Sequence, residues 1–371
     1  MEYTLIATAP LGLESVVANE ARRLGFTEIQ TENGRVRIQT DLEGVVKSNL
    51  WFRTADRILL VLGEFPAYTF DDLFEGTRAL PWDEWLAEDA KFPVSGRSHK
   101  SQLSSVPACQ SIVKKAIVKK LSDAYMTNWF QEDGATYPIE VMLLNDIATI
   151  TLDTSGAGLH KRGYRTEAGA APMKETLAAA LVILSRWHGE RALLDPFCGS
   201  GTIAIEAALY AANIAPGLNR DFISEQFEWI PKRLFKEARD AARDQIKQTD
   251  LHPIYASDID AKAVNLANAN AARAGVDSLV QFSTRALKNI EIVEERGVLI
   301  GNPPYGERMG EANEVRQLYE TLGKIKNQHP GWSMYILSGQ PLFERWFGKA
   351  ADKRRKLYNG RIECQYYQYT K

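Results

Sequence analysis

Between residues 174 and 338, short apolar runs and segments of helical length take turns along the chain. Lys174 to His188 has helical spacing, and Ala192-Leu193-Leu194 then reads as a strand ending in Asp195. Thr202 to Ala212 is a second helix, and Pro253 to Ala256 is a strand running into Asp258. Ala261 to Ala274 is a third helix, followed by strand-like Gln281 to Ala286 and by Val298 to Gly301, which stops at Asn302. Glu314 to Lys326 and Trp332 to Ser338 add a helix and a strand. Such alternation predicts a parallel sheet with helices on both faces. Sheets of that kind bind ligands beyond the carboxyl ends of their strands. Asp195, Asp258 and Asn302 all fall there.

The earlier part of the chain is patterned differently. Tyr3 to Ala7 is a strand, and Gly12 to Leu24 has the spacing of a helix with Leu13, Val16, Val17 and Ala21 on one face. Gly34 to Gln39 alternates Val36 and Ile38 with Arg35 and Arg37, as a half-exposed strand does. Ser111 to Leu121 predicts a helix with lysines opposite its apolar face. Tyr137 to Leu144 and Ile147 to Leu152 predict a hairpin turning at Asn145-Asp146. This is an α+β domain with antiparallel pairing. Glu167-Ala168-Gly169-Ala170-Ala171-Pro172 reads as a linker, which places the boundary near residue 166 and divides the chain into 1–165 and 166–371.

Composition excludes several classes. A 45% hydrophobic content argues against a disordered chain, and 371 residues are enough for more than one core. No apolar run approaches the ~20 residues that span a bilayer. The opening Met1-Glu2-Tyr3-Thr4-Leu5-Ile6 lacks the basic and apolar regions of a secretory signal, so the expectation is a cytoplasmic protein. The three cysteines, Cys109, Cys198 and Cys364, are odd in number and share no metal-ligand spacing with the five histidines. Neither a disulfide framework nor a metal site is expected. A net charge of -2 gives no global pull towards nucleic acid, so any such attraction has to be local. Local clusters exist: seven Lys/Arg against one acid between Lys91 and Phe130, then His160-Lys161-Arg162-Gly163-Tyr164-Arg165, then Lys353-Arg354-Arg355-Lys356.

Three segments carry chemistry. In Asp195-Pro196-Phe197-Cys198-Gly199-Ser200-Gly201-Thr202 the two glycines permit a tight turn and a close backbone approach at a helix start. Position 204 is Ala where the dinucleotide fingerprint has a third glycine, and no acid follows at its ~20-residue spacing, which disfavours a nicotinamide or flavin. An acid before the glycines suits a ligand that carries a cation, as S-adenosylmethionine does. In Ser257-Asp258-Ile259-Asp260 a carboxylate at a strand end can accept from both hydroxyls of a ribose, the role given to Asp258; Asp260 reads as a helix N-cap. In Asn302-Pro303-Pro304-Tyr305-Gly306-Glu307-Arg308 two prolines stiffen a turn and leave the Asn302 amide and backbone carbonyls projecting. Hydrogen bonds accepted from an exocyclic amine localise its lone pair and aim it. Tyr305 supplies a flat face for an extruded base.

Asn302-Pro303-Pro304-Tyr305 resembles the motif of class I methyltransferases that modify exocyclic amines. The cofactor loop, Asp153-Thr154-Ser155-Gly156, Leu159 to Arg165, Ala171 to Thr176 and Asn213-Ile214-Ala215-Pro216-Gly217 resemble the THUMP-domain RNA methyltransferases, in particular bacterial 23S rRNA guanine-N2 enzymes. The likeness covers nearly the whole chain, most densely from 150 to 310. It implies a ferredoxin-like piece and a THUMP RNA-binding domain in front of a Rossmann-like methyltransferase domain. It implies S-adenosylmethionine as cofactor, S-adenosylhomocysteine as product, and no metal. The residues expected at the cofactor are Asp195, Pro196, Phe197, Gly199, Gly201, Thr202, Asp258, Ile259 and Asn302. An Asp that often reads the adenine after the third strand is missing here, which leaves backbone or Thr284. Asn302, Pro303, Pro304 and Tyr305 are expected at the base.

For RNA the candidates are Arg97, Lys100, Lys161, Arg162, Tyr164 and Arg165. The expected partner is 23S rRNA or a large-subunit assembly intermediate. A tRNA guanine-N2 methyltransferase would share every motif, an adenine-N6 DNA methyltransferase would share Asn-Pro-Pro-Tyr, and a non-catalytic RNA-binding assembly factor could keep the fold. Cys198 has no base placed to activate it, and Glu206 reads as structural.

Overall fold

The computed structural model describes residues 2–127, 129–165, 173–247, 251–305 and 312–370. The expected linker Glu167–Pro172 and the Gly306-Glu307-Arg308 run lie outside the described residues. Two seven-stranded sheets organise the chain. The first is built from β1 (Tyr3–Thr8), β2 (Ile29–Glu32), β3 (Arg35–Thr40), β4 (Arg57–Pro66), β5 (Val94–His99), β6 (Ile139–Leu144) and β7 (Ile147–Asp153), in the order β2-β3-β1-β4-β7-β6-β5. The strand β4 pairs antiparallel with β1 on one side and with β7 on the other, so Leu60 faces both Leu5 and Leu152. One continuous sheet therefore joins the two N-terminal pieces. The hairpin β6–β7 turns where expected: Asn145 and Asp146 take φ of 51° and 62°, as a two-residue turn matching strand twist requires. The lysine-bearing helix is longer than the pattern suggested, Val106–Tyr125, and buries Val113, Ile117 and Leu121.

The second sheet comprises β8 (Ala192–Asp195), β9 (Ile254–Asp258), β10 (Val280–Thr284), β11 (Gly297–Gly301), β12 (Trp332–Ser338), β13 (Lys353–Asn359) and β14 (Ile362–Tyr369). Its order is β10-β9-β8-β11-β12-β14-β13, with β8 to β12 parallel and β14 antiparallel to β12. All residues of β8 and β11 are buried, which is why these strands read as unbroken apolar runs. The basic run 353–356 is the outer strand of a hairpin. Arg354 pairs with Glu344 at 3.2 Å and Lys356 with Glu363 at 2.6 Å, and charge on an edge strand discourages further pairing. Among the described residues no helix is long and apolar enough to cross a membrane.

The two halves share a core. Residues between the helix Thr202–Ala211 and β9 pack back on the first sheet: Phe227 stacks on Tyr137 with ring centres 4.6 Å apart. Arg220 donates to the carbonyls of Ser155, Ala157, Gly158 and Lys161. Arg162 is buried between the halves, where it donates to the Leu159 carbonyl at 2.6 Å and the Arg53 carbonyl at 2.5 Å and pairs with buried Glu206 at 3.3 Å. The Tyr164 hydroxyl donates to the same carboxylate at 3.1 Å.

Candidate active site

A cavity of about 900 Å³ opens at the carboxyl ends of β8, β9 and β11. Pro196 and Phe197 line it after β8, Asp258 and Ile259 after β9, and Asn302 to Tyr305 after β11. The sheet thus gathers all three sequence motifs on one wall, as parallel strands with helical crossovers do.

The loop after β8 is tied to β9. The Gly199 amide donates to Asp258 Oδ2 at 2.9 Å, and the Cys198 amide donates to the Ser257 carbonyl at 2.9 Å. Gly201 starts the following helix at φ 85°, and a Cβ there would stand 3.0 Å from the Ala267 methyl. Gly199, at φ 52°, would point a Cβ into open space with nothing within 4 Å. That backbone is free to meet a ligand. Asp258 Oδ1 accepts from the Asp260 amide at 3.0 Å, and Asp260 caps the helix Ala261–Ala274 through the Lys262 amide at 2.9 Å. Ile259 is an exposed apolar side chain on the cavity wall, suited to a flat ring.

Asp195 is buried. One oxygen accepts from the Phe197 amide at 3.2 Å, and Oδ2 has no partner. Burial, and then the Asp258 charge, push its pKa up to about 8. The free protein therefore holds it protonated at neutral pH, whereas a cationic ligand nearby favours the carboxylate. Cofactor affinity is expected to rise as pH climbs from about 6 towards 8, by up to ~10-fold per unit below the free pKa. Titrations of S-adenosylmethionine across that range should show the slope in the parent and a flatter one in Asp195→Asn.

The turn after β11 is braced from three sides. The Tyr305 hydroxyl donates to Asn302 Oδ1 at 2.5 Å and accepts from Asn359 Nδ2 at 3.3 Å. The Tyr305 carbonyl accepts from Gln340 Nε2 at 3.1 Å. The Pro304 carbonyl accepts from the Tyr319 hydroxyl at 2.8 Å, and that hydroxyl also bonds Ser338 Oγ at 2.9 Å. None of these bracing residues carries a local sequence signal: Tyr319 comes from the helix Ala312–Gln328, Ser338 and Gln340 from the end of β12 and the loop after it, and Asn359 from the end of β13. The Asn302 oxygen assigned to a substrate amine is here occupied by the Tyr305 phenol.

The expected RNA contacts Arg162 and Tyr164 are corrected, and Thr284 stands outside the cavity lining. Thr284 is exposed at the end of β10, and the cavity wall is formed instead by the next residues, Arg285 to Lys288. Parallel register sets Thr284 level with Asp258, and the chain turns only after it, where the Arg285 amide donates to the Asp258 carbonyl. Arg162 and Tyr164 are not on an RNA face: inside the protein Arg162 pairs with Glu206 and the Tyr164 hydroxyl donates to it. Arg165 pairs with Glu175 at 3.3 Å and donates to the Met173 carbonyl and to Thr202 Oγ1. Arg97, Lys100 and Lys161 are on the surface, Arg97 beside Glu140 at 2.6 Å. Burial, then Lys174, push His160 down to about 4, so it is neutral. Burial raises the Cys198 thiol far above its ordinary value, which removes it as a nucleophile. Among the described residues no group of three or more His, Cys, Asp or Glu could hold a metal ion.

Comparison with known proteins matches residues 4–59 to the RlmL ferredoxin-like domain, 67–153 to the THUMP domain, and 162–368 to the RMKL-like methyltransferase domain. The chain belongs to the RMKL-like methyltransferase family. This RMKL-like chain is 51% identical over 370 residues to the putative RNA methyltransferase YpsC of Bacillus subtilis, covering 99% of the chain and 96% of the relative. It is 36% identical to the ribosomal RNA large subunit methyltransferase K/L of Syntrophotalea carbinolica, covering 97% of the chain but only 52% of that longer protein. A predicted N6-adenine-specific DNA methylase from Listeria monocytogenes superposes with a TM-score of 0.95 at 48% identity, over 100% of this chain and 96% of that one. SMU.472, a putative methyltransferase complexed with SAH, superposes at 0.94 with 43% identity, over 99% and 98% of the two chains. The RMKL-like fold is thus that of the S-adenosylmethionine-dependent RNA methyltransferases, with the ferredoxin-like and THUMP domains in front.

Proposed function

We propose that this RMKL-like protein transfers a methyl group to the exocyclic N2 of a guanosine in 23S rRNA. The observation that carries the reading is that the Asn302 carboxamide and the Asp258 carboxylate line one cavity, with the unpartnered Asp195 oxygen buried on the adjoining strand end. S-adenosylmethionine supplies the electrophilic methyl group when bound. Asp258 accepts from the ribose hydroxyls, Ile259 covers one face of the adenine, and Asp195 balances positive charge. On the other side, Asn302 Oδ1 and the Pro303 carbonyl accept from the two protons of the target amine and hold its lone pair towards the methyl carbon. The new N–C bond forms as the S–C bond breaks, and the amine proton then passes to solvent. The Tyr305 phenol takes one lone pair of Asn302 Oδ1 and leaves the second for the entering amine, while the Tyr305 ring offers a stacking surface.

Residues 1–165 are the RNA grip in this reading and residues 166–371 the chemistry. The THUMP match favours RNA over DNA, and relatives named as large-subunit enzymes favour 23S over transfer RNA. Labelled S-adenosylmethionine should be offered to unmodified 23S, 16S and tRNA pools, followed by digestion and mass spectrometry of nucleosides. Label in N2-methylguanosine from 23S RNA is expected. Label in tRNA alone would overturn the 23S assignment, and N6-methyladenosine would overturn the base.

A further inference from the structure

We propose a second RNA contact: a phosphate-binding cleft between the N-terminal domain and the amino ends of the parallel strands. This cleft, about 900 Å³, shares no lining residue with the active-site cavity. Seven of its lining residues are Lys or Arg, and its one carboxylate, Glu20, is already engaged by the Arg53 and Thr54 amides and the Thr54 hydroxyl. Seven cations thus line the cleft against one carboxylate, and Glu20 and buried Glu206 both act on Arg53.

Its deepest cation is Arg53, only 6% exposed. Arg53 Nη2 donates to the Ile214 carbonyl at 2.7 Å, while Nη1 is buried with no partner. A buried guanidinium with one donor unpaired is costly, and an anion in the cleft that Arg53 lines offsets that cost through its charge. Arg53 lies 5.7 Å from the centre of the Tyr210 ring. The Tyr210 hydroxyl accepts from Arg23 Nη1 at 3.0 Å and bonds His188 Nδ1 at 2.9 Å. Three basic groups are thus gathered about one phenol before any ligand arrives. On the opposite wall Arg355 is held by the Gly12 carbonyl at 3.0 Å and Ser15 Oγ at 2.7 Å. Such fixed forks fit phosphate oxygens better than mobile lysines do.

The ligand class is a phosphate ester. Identifying it as the RNA backbone rests on the RNA-substrate reading above; the existence of the anion site does not. Since the cleft lies at the amino ends of the strands and the active site at the carboxyl ends, a phosphodiester held here belongs to a part of the RNA other than the target nucleotide.

The test uses Arg186→Gln/Lys353→Gln, two exposed rim residues outside the active site, because replacing Arg53 itself could unfold the seam. Binding of a labelled single-stranded RNA is followed across a potassium chloride series. Two contacts at about 0.7 each should make the log–log salt slope shallower by about 1.4. Inorganic phosphate is titrated in parallel by calorimetry and should bind the variant several-fold more weakly than the parent, with S-adenosylhomocysteine affinity unchanged in both. Weakened phosphate binding with an unaltered RNA slope would keep the anion site and overturn RNA as its source. No difference between parent and variant in either titration would overturn the proposal.

Discussion

Asn302→Ala is expected to slow methyl transfer by about 10²–10³-fold, the usual effect of removing one preorganised polar group from a reacting centre. Cofactor affinity should stay within a few-fold of the parent, since Asp258 and the Gly199 loop are untouched. RNA affinity should also stay within a few-fold, because the grip lies elsewhere. Single-turnover rates with saturating RNA separate these effects, and an unchanged rate would remove Asn302 from the chemistry. Tyr305→Phe provides the companion measurement. It frees Asn302 Oδ1 while keeping an aromatic face, so transfer should persist at a rate far above that of Asn302→Ala.

The second large effect is on stability. Arg162→Ala would leave Glu206, which is fully buried, with the Tyr164 hydroxyl as its remaining donor. Breaking one partner of a buried ion pair typically costs about 3–5 kcal/mol. Chemical denaturation should therefore show a loss of that size in Arg162→Ala, and Arg162→Met/Glu206→Leu should regain much of it. If Arg162→Ala kept the parent's stability but lost RNA affinity, the residue would return to the RNA face where its sequence context suggested it.

That residue shows where sequence reading stops. A run such as His160-Lys161-Arg162-Gly163-Tyr164-Arg165 looks the same whether its cations meet phosphate or a carboxylate 44 residues downstream, and only the tertiary packing distinguishes the two. By contrast β8, β9, β11 and β12 were legible almost to the residue, because burial on both faces writes itself as an apolar run bounded by acids and glycines. The hairpin β13–β14 left no such trace: its outer strand reads as a basic cluster, and its place between β12 and the edge follows from pairing across the sheet. Asn359, Gln340 and Tyr319, which brace the Asn302 turn, were illegible because a strand end, a loop and a helix distant in sequence meet there only in the folded chain.

The antiparallel seam of β4 with both β1 and β7 removes the joint that usually separates two small domains. With Arg162, Arg220 and Phe227 binding that single slab to the catalytic half, grip and cavity stand at a set interval. If residues 1–165 grip the RNA as proposed, the protein would work as a caliper: a nucleotide would be chosen by its span from the gripped element as much as by its base, and the bending needed to bring it into the cavity would fall on the RNA strand.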